Sequence, residues 1–117
     1  MFTSIVIPTV RFGGIDIIDQ CLSQQTYKNF EVIIADELHR GYLHLKELPR
    51  FDGVNKLVKF INPPPKKKGA YWSLDGSMNA AIRIARGDLI ISIQDYIWVP
   101  PQGIHKFINK VHEEWPC

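Results

Sequence analysis

The sequence is short of the features that mark several common classes of protein. It has two cysteines, Cys21 and Cys117, and they do not form a CxxC pair. No disulfide framework or cysteine-based zinc site is indicated, and both read as free thiols of a reducing compartment. No apolar run reaches the roughly 18 residues of a membrane span. The opening residues, Met1 to Pro8, lack a basic region, and their apolar stretch is too short for a secretory signal. The expected setting is therefore cytoplasmic. The formal net charge is only +2, so charge does not imply a nucleic-acid partner. There is no GxGxxG after the first apolar run, no GxxxxGK[ST] and no GxSxG. Dinucleotide, P-loop and hydrolase-elbow signatures are thus missing. His39 and His44, or His105 and His112, do not fall at a recognised metal spacing.

The sequence does contain a regular alternation of patterns. Hydrophobic residues make up 45% of 117 residues, enough for one ordinary domain with one core, spanning residues 1–117. Four short runs rich in Ile and Val stand out: Ser4 to Ile7, Val32 to Ala35, Leu57 to Ile61, and Leu89 to Ile93. They are continuous rather than alternating, the pattern of strands buried on both faces of a parallel sheet. Helical stripes lie between and after them: Ile15, Ile18, Leu22; then Leu74, Met78, Ala81, Ala85; then Ile104, Phe107, Ile108, Val111, Trp115. Asp75 is placed to cap the second of these helices and Gly87 to end it. Leu43 to Leu48 reads as a short helix limited by Pro49. The order predicts a doubly wound α/β sheet with helices on both faces and the first strand central.

In such sheets ligands bind beyond the C-terminal ends of the strands. The residues to inspect are therefore Pro8 to Arg11, Asp36-Glu37, Asn62 to Lys68, and Gln94-Asp95-Tyr96. A carboxylate at Asp36 can accept hydrogen bonds from a ribose hydroxyl or a base N–H; it can equally cap a turn. A carboxylate at Asp95 can hold Mg2+ or Mn2+ on a diphosphate, or cap the turn that follows it. Arg11 and the Lys66-Lys67-Lys68 run are either phosphate contacts or solvated loop charges. Asn79, a poor helix former within a helical stripe, points to a ligand or a loop.

Four stretches together resemble family-2 glycosyltransferases. They are Ser4 to Thr9, the long run Cys21 to Glu37, Asn79 to Ile90, and Gln94 to Pro100. The Cys21 to Glu37 run, with Gln25-Thr26-Tyr27 and Asn29-Phe30-Glu31 inside it, is the most specific. The resemblance covers nearly the whole chain in the right order. It implies a Rossmann-like GT-A fold whose C-terminal part is missing here, and a UDP- or GDP-type nucleotide-diphospho-sugar as donor. It implies that Pro8 and Thr9 line the nucleotide pocket and that Asp36, with Glu37 beside it, contacts base or ribose. It also implies that Asp95, with Gln94 beside it, stands at the position of the metal-binding aspartate. Gln94 and Tyr96 replace the acidic or polar neighbours usual there, leaving one carboxylate.

The family's transfer of a sugar to a glycan or lipid acceptor uses a carboxylate base from the second half of the domain. No residue of this chain matches that base. Two readings stay open: the donor-binding part of a transferase, or a non-catalytic module or inactive scaffold. An incomplete core also predicts exposed apolar surface and self-association.

Overall fold

The computed structural model describes residues 1–10, 15–37, 58–61 and 74–114, with the side chains of 15, 58, 60, 74 and 75 excepted. Among the described residues there are seven elements. They are β1 (Thr3–Thr9), α1 (Ile15–Ser23), β2 (Phe30–Asp36), β3 (Val58–Ile61), α2 (Leu74–Ile84), β4 (Leu89–Ser92) and α3 (Gly103–Glu114). Among the described residues all strand pairings are parallel, and the strand order is β3-β2-β1-β4. The first strand is central, as the alternating pattern predicts. The expected Leu43 to Leu48 helix, Arg11 and the lysine run lie outside the described residues.

The core has two layers, one on each face of the sheet. Side chains alternate along a strand, so Ile5 and Ile7 of β1 and Phe30, Val32 and Ile34 of β2 face one side. There they meet Ile18, Cys21 and Leu22 of α1 and Ile104 and Ile108 of α3. Val6, Ile33 and Ala35 face the other side and meet Ala81 and Met78 of α2. Each fully buried Ile, Leu or Phe contributes about 1.5–3 kcal/mol by leaving water. Every residue of β1 and β2 is buried, which accounts for their continuous apolar runs.

Two expectations need correction. β4 is not buried on both faces: Ile90 is 40% exposed and Ser92 is exposed. The reason is that α2 packs chiefly over β1 and β2 and touches β4 at its end, where Ser92 Oγ lies 3.7 Å from Met78 Sδ. Phe107 does not join the α3 stripe and is half-exposed, whereas Ile104 and Ile108 are buried. Asn79 is exposed on α2. Among the described residues no helix is long and apolar enough to cross a membrane.

The chain runs outward from β1 to β2 to β3, then returns to place β4 on the opposite side of β1. The connection through α1 packs on one face and that through α2 on the other. The strand order therefore reverses between β1 and β4, and the crevice at such a reversal is where open α/β sheets bind ligands.

Candidate functional site

Pro8 shapes this crevice. Ile93 N–H donates to Val6 O at 3.0 Å, continuing the β1–β4 ladder one residue past Ser92. Main-chain groups two residues apart in a strand point the same way. The nitrogen of Pro8 thus faces β4's side, where it has no hydrogen to give. The ladder stops there and the chain leaving β4 is free to turn. Two residues later it sets Asp95 over the end of β1. There the Thr9 hydroxyl donates to Asp95 Oδ2 at 2.9 Å, in a buried contact.

Thr9 is also the register partner of Asp36, so the two lie on strands about 4.8 Å apart. By alternation both point to the α1/α3 face. Asp36 is 1% exposed and Asp95 5%, so two buried carboxylates flank one hydroxyl at the β1 terminus. The structure brings Thr9, Asp36 and Asp95 together, with Pro8 buried beside them.

Glu37 goes elsewhere. Its N–H donates to Thr9 O at 3.0 Å, which ties β2 to β1 at the site. Its side chain turns to the other face, where Ser77 Oγ of α2 donates to Glu37 Oε1 at 3.1 Å. Gln94 is exposed. Tyr96, next to Asp95, has φ 63°, a left-handed conformation that is rare for a bulky residue.

Two residues of the Cys21 to Glu37 run have roles that their positions in the sequence do not announce. Gln25 is buried at the end of α1 and binds the segment between Asp95 and α3. Glu31 is buried near the start of β2, at the opposite end of the sheet from the crevice. Its Oε2 accepts from Ser4 Oγ at 2.9 Å and from Arg86 N–H at 2.8 Å, and its Oε1 lies 3.2 Å from Lys59 Nζ. Burial pushes the Glu31 carboxyl up, but the Arg86 N–H, the Ser4 hydroxyl and the Lys59 ammonium together hold it below its usual value. No local spacing encodes these partners. The only hint was polar residues sitting where a core is expected.

Cys21 is a free, buried thiol, and burial raises its pKa. It sits under the same segment that Gln25 holds, its Sγ 4.0 Å from Ile97 O. A thiol so placed is a packing residue rather than a nucleophile.

The donor set bears on a metal ion. Among the described residues no group of three or more His, Cys, Asp or Glu could hold one. A site built from protein ligands alone does not fit them. A Mg2+-type ion that takes one carboxylate and completes its shell with substrate phosphates and waters fits Asp95.

The chain matches no protein-family model and no curated protein. Its fold is similar to solved structures of S. aureus TarS. One superposes with a TM-score of 0.67 at 17% identity, covering 97% of this chain and 20% of that one. Another, TarS 1-349 in complex with UDP, gives 0.68 at 16% identity, covering 97% of this chain and 32% of that one. The chain thus spans a fifth to a third of the structures it resembles. At such identities the likeness establishes architecture: this is a small, parallel-sheet α/β chain with a glycosyltransferase-like fold.

Proposed function

We propose that this chain is the donor-binding part of a family-2-like glycosyltransferase of GT-A type, working in the cytoplasm. It holds a UDP- or GDP-type nucleotide-diphospho-sugar for transfer to a glycan or lipid acceptor. The observation that carries the reading is the Thr9–Asp95 contact at the β1/β4 reversal, with Asp36 beside it. The resemblance of Cys21 to Glu37 to the family supports it. So does the UDP bound in one of the similar structures.

In this reading the backbone around Pro8 and Thr9 lines the nucleotide pocket. The Asp36 carboxylate accepts from ribose or base. Asp95 would be the protein's carboxylate for a Mg2+ or Mn2+ ion, whose chemistry would be to neutralise phosphate charge. Thr9 holds Asp95 in place and Glu37 N–H fixes the β2 end. The acceptor and the carboxylate base belong to the rest of the transferase.

Calorimetric titration of UDP and GDP, each with Mn2+ and with excess chelator, tests this on the parent, Asp36→Ala and Asp95→Ala. Expected are binding by the parent, a loss with Asp36→Ala under both conditions, and loss of the Mn2+ increment alone with Asp95→Ala. No heat with either nucleotide would sink the reading. Binding of nucleotide-sugar by the whole natural protein without turnover would favour a non-catalytic module.

A further inference from the structure

Residues 93–102, between β4 and α3, have no regular structure, yet they carry Asp95. Upstream they are fixed by Ile93 N–H on Val6 O and by Thr9 on Asp95. Downstream they meet a chemical difficulty. Val99 and Pro100 are followed by Pro100 and Pro101, which bring no N–H. Gly103 N–H supplies one donor locally, to Pro100 O at 2.8 Å, while the carbonyl of half-buried Val99 takes its donor from another part of the chain.

Gln25 is the donor. Its Nε2 lies 2.7 Å from Pro100 O, 3.2 Å from Val99 O and 3.1 Å from Cys21 O. The amide has two hydrogens, so these three acceptors share them. Its Oε1 accepts from Ile104 N–H at 3.1 Å, satisfying one of the orphan donors in the first turn of α3. Thr26 N–H adds a bond to Pro101 O at 2.8 Å. The side chain is 1% exposed. One amide thus joins the end of α1, the segment beyond Asp95 and the start of α3.

We infer that Gln25 is a positioning residue for Asp95: its amide fixes the far end of the segment whose near end Thr9 holds. The inference rests on the nucleotide-diphosphate reading above. The Thr9 hydroxyl bonds the Asp95 carboxylate, and the Gln25 amide bears on the backbone that follows it. With the Gln25 grip, Tyr96 to Trp98 runs between two held points, and Cys21 Sγ lies 4.0 Å from Ile97 O within it. A metal held by one protein carboxylate has no second one to correct a displacement, so the anchor behind it sets affinity.

The test compares the chain with Gln25→Glu, which keeps shape and the acceptor for Ile104 but loses the donor, and Gln25→Met, which is similar in size and uncharged. UDP affinity is measured with Mn2+ and with chelator. A folded variant is expected to lose about tenfold or more in the Mn2+ increment while affinity in chelator stays within about twofold. A merely structural role lowers both together, and equal losses, or none, overturn the inference while leaving the nucleotide reading intact. A parent that binds no nucleotide removes both.

Amide hydrogen exchange on the unmodified, metal-free chain gives a second readout that needs no variant. Ile104 N–H is expected to be protected like the β1 and β2 amides. Exchange as fast as an exposed loop amide overturns the inference even if neither variant folds.

Discussion

The Thr9 hydroxyl bonds to Asp95 Oδ2 at 2.9 Å, joining the last residue of β1 to the turn that leaves β4, 86 positions later in the chain. A buried carboxylate that loses a donor carries its desolvation cost uncompensated. Thr9→Val keeps the shape and removes the donor. It should lower stability by about 1–3 kcal/mol, and Thr9→Ser should restore most of that. Urea unfolding of the three proteins decides it. A Thr9→Val chain as stable as the parent would mean that water or another group replaces the hydroxyl.

Glu31 gives a prediction with a sign. Its folded-state pKa lies below the ordinary 4.5, so folding favours the ionised form. The stabilisation is fully present above the unfolded value and is lost as pH falls from about 4.5 through the lower folded value. Urea midpoints measured from pH 7 to pH 3 should fall on this acid limb. Glu31→Gln should be less stable near neutrality by about 1–3 kcal/mol, because an amide cannot accept from Ser4, Arg86 and Lys59 as a carboxylate does. It should also show a shallower acid limb. An unchanged limb would assign the acid loss to other carboxylates.

Gly87 stands in the same cluster, and its N–H donates to Ser4 Oγ at 2.8 Å. A Cβ there would meet Ser4 N at 2.5 Å, Ser4 Oγ at 2.7 Å and Leu89 O at 2.9 Å. Two of these are backbone atoms of central and adjoining strands, which cannot step aside. Gly87→Ala should therefore cost about 1–3 kcal/mol or more, read as a lowered urea midpoint. A loss under about 0.5 kcal/mol, the size of an ordinary surface change, would contradict the close approach.

The sequence was legible where a feature depends on near neighbours and obscure where it depends on distant ones. Ile-Val runs located β1 and β2 to within two residues at each end, because burial on both faces requires apolar residues at every position. The stripes at Ile18-Leu22 and Ile104-Ile108 located α1 and α3 because those helices each bury one face. Placing Thr9, Asp36 and Asp95 at one end of the sheet needed only the rule that parallel strands end on the same side. Gly87 was read as a helix terminator, yet α2 ends at Ile84 and the glycine answers to Ser4, a residue 83 positions earlier. Gln25 and Glu31 looked like parts of a motif of undefined purpose. Their purpose lies in Val99, Pro100, Ile104, Ser4 and Arg86, which only the folded chain brings to them. Ile90 misled because its apolar neighbours hid that α2 packs chiefly over β1 and β2.

Tyr96 offers the last test, since its backbone and its side chain make opposite demands. At φ 63° an L residue pays about 1–2 kcal/mol relative to the right-handed region, and glycine or asparagine is the usual occupant. Tyr96, beside Asp95, is nearly half-exposed, so burial of its side chain offsets only part of that cost. Tyr96→Asn should therefore be neutral or more stable by up to about 1 kcal/mol. Tyr96→Val, whose branched Cβ fits this region poorly, should be less stable than the parent. Thermal and urea unfolding of both variants would show the order Asn at or above Tyr, and Tyr above Val. The reverse order would mean that contacts of the ring, rather than the turn, keep tyrosine next to the aspartate.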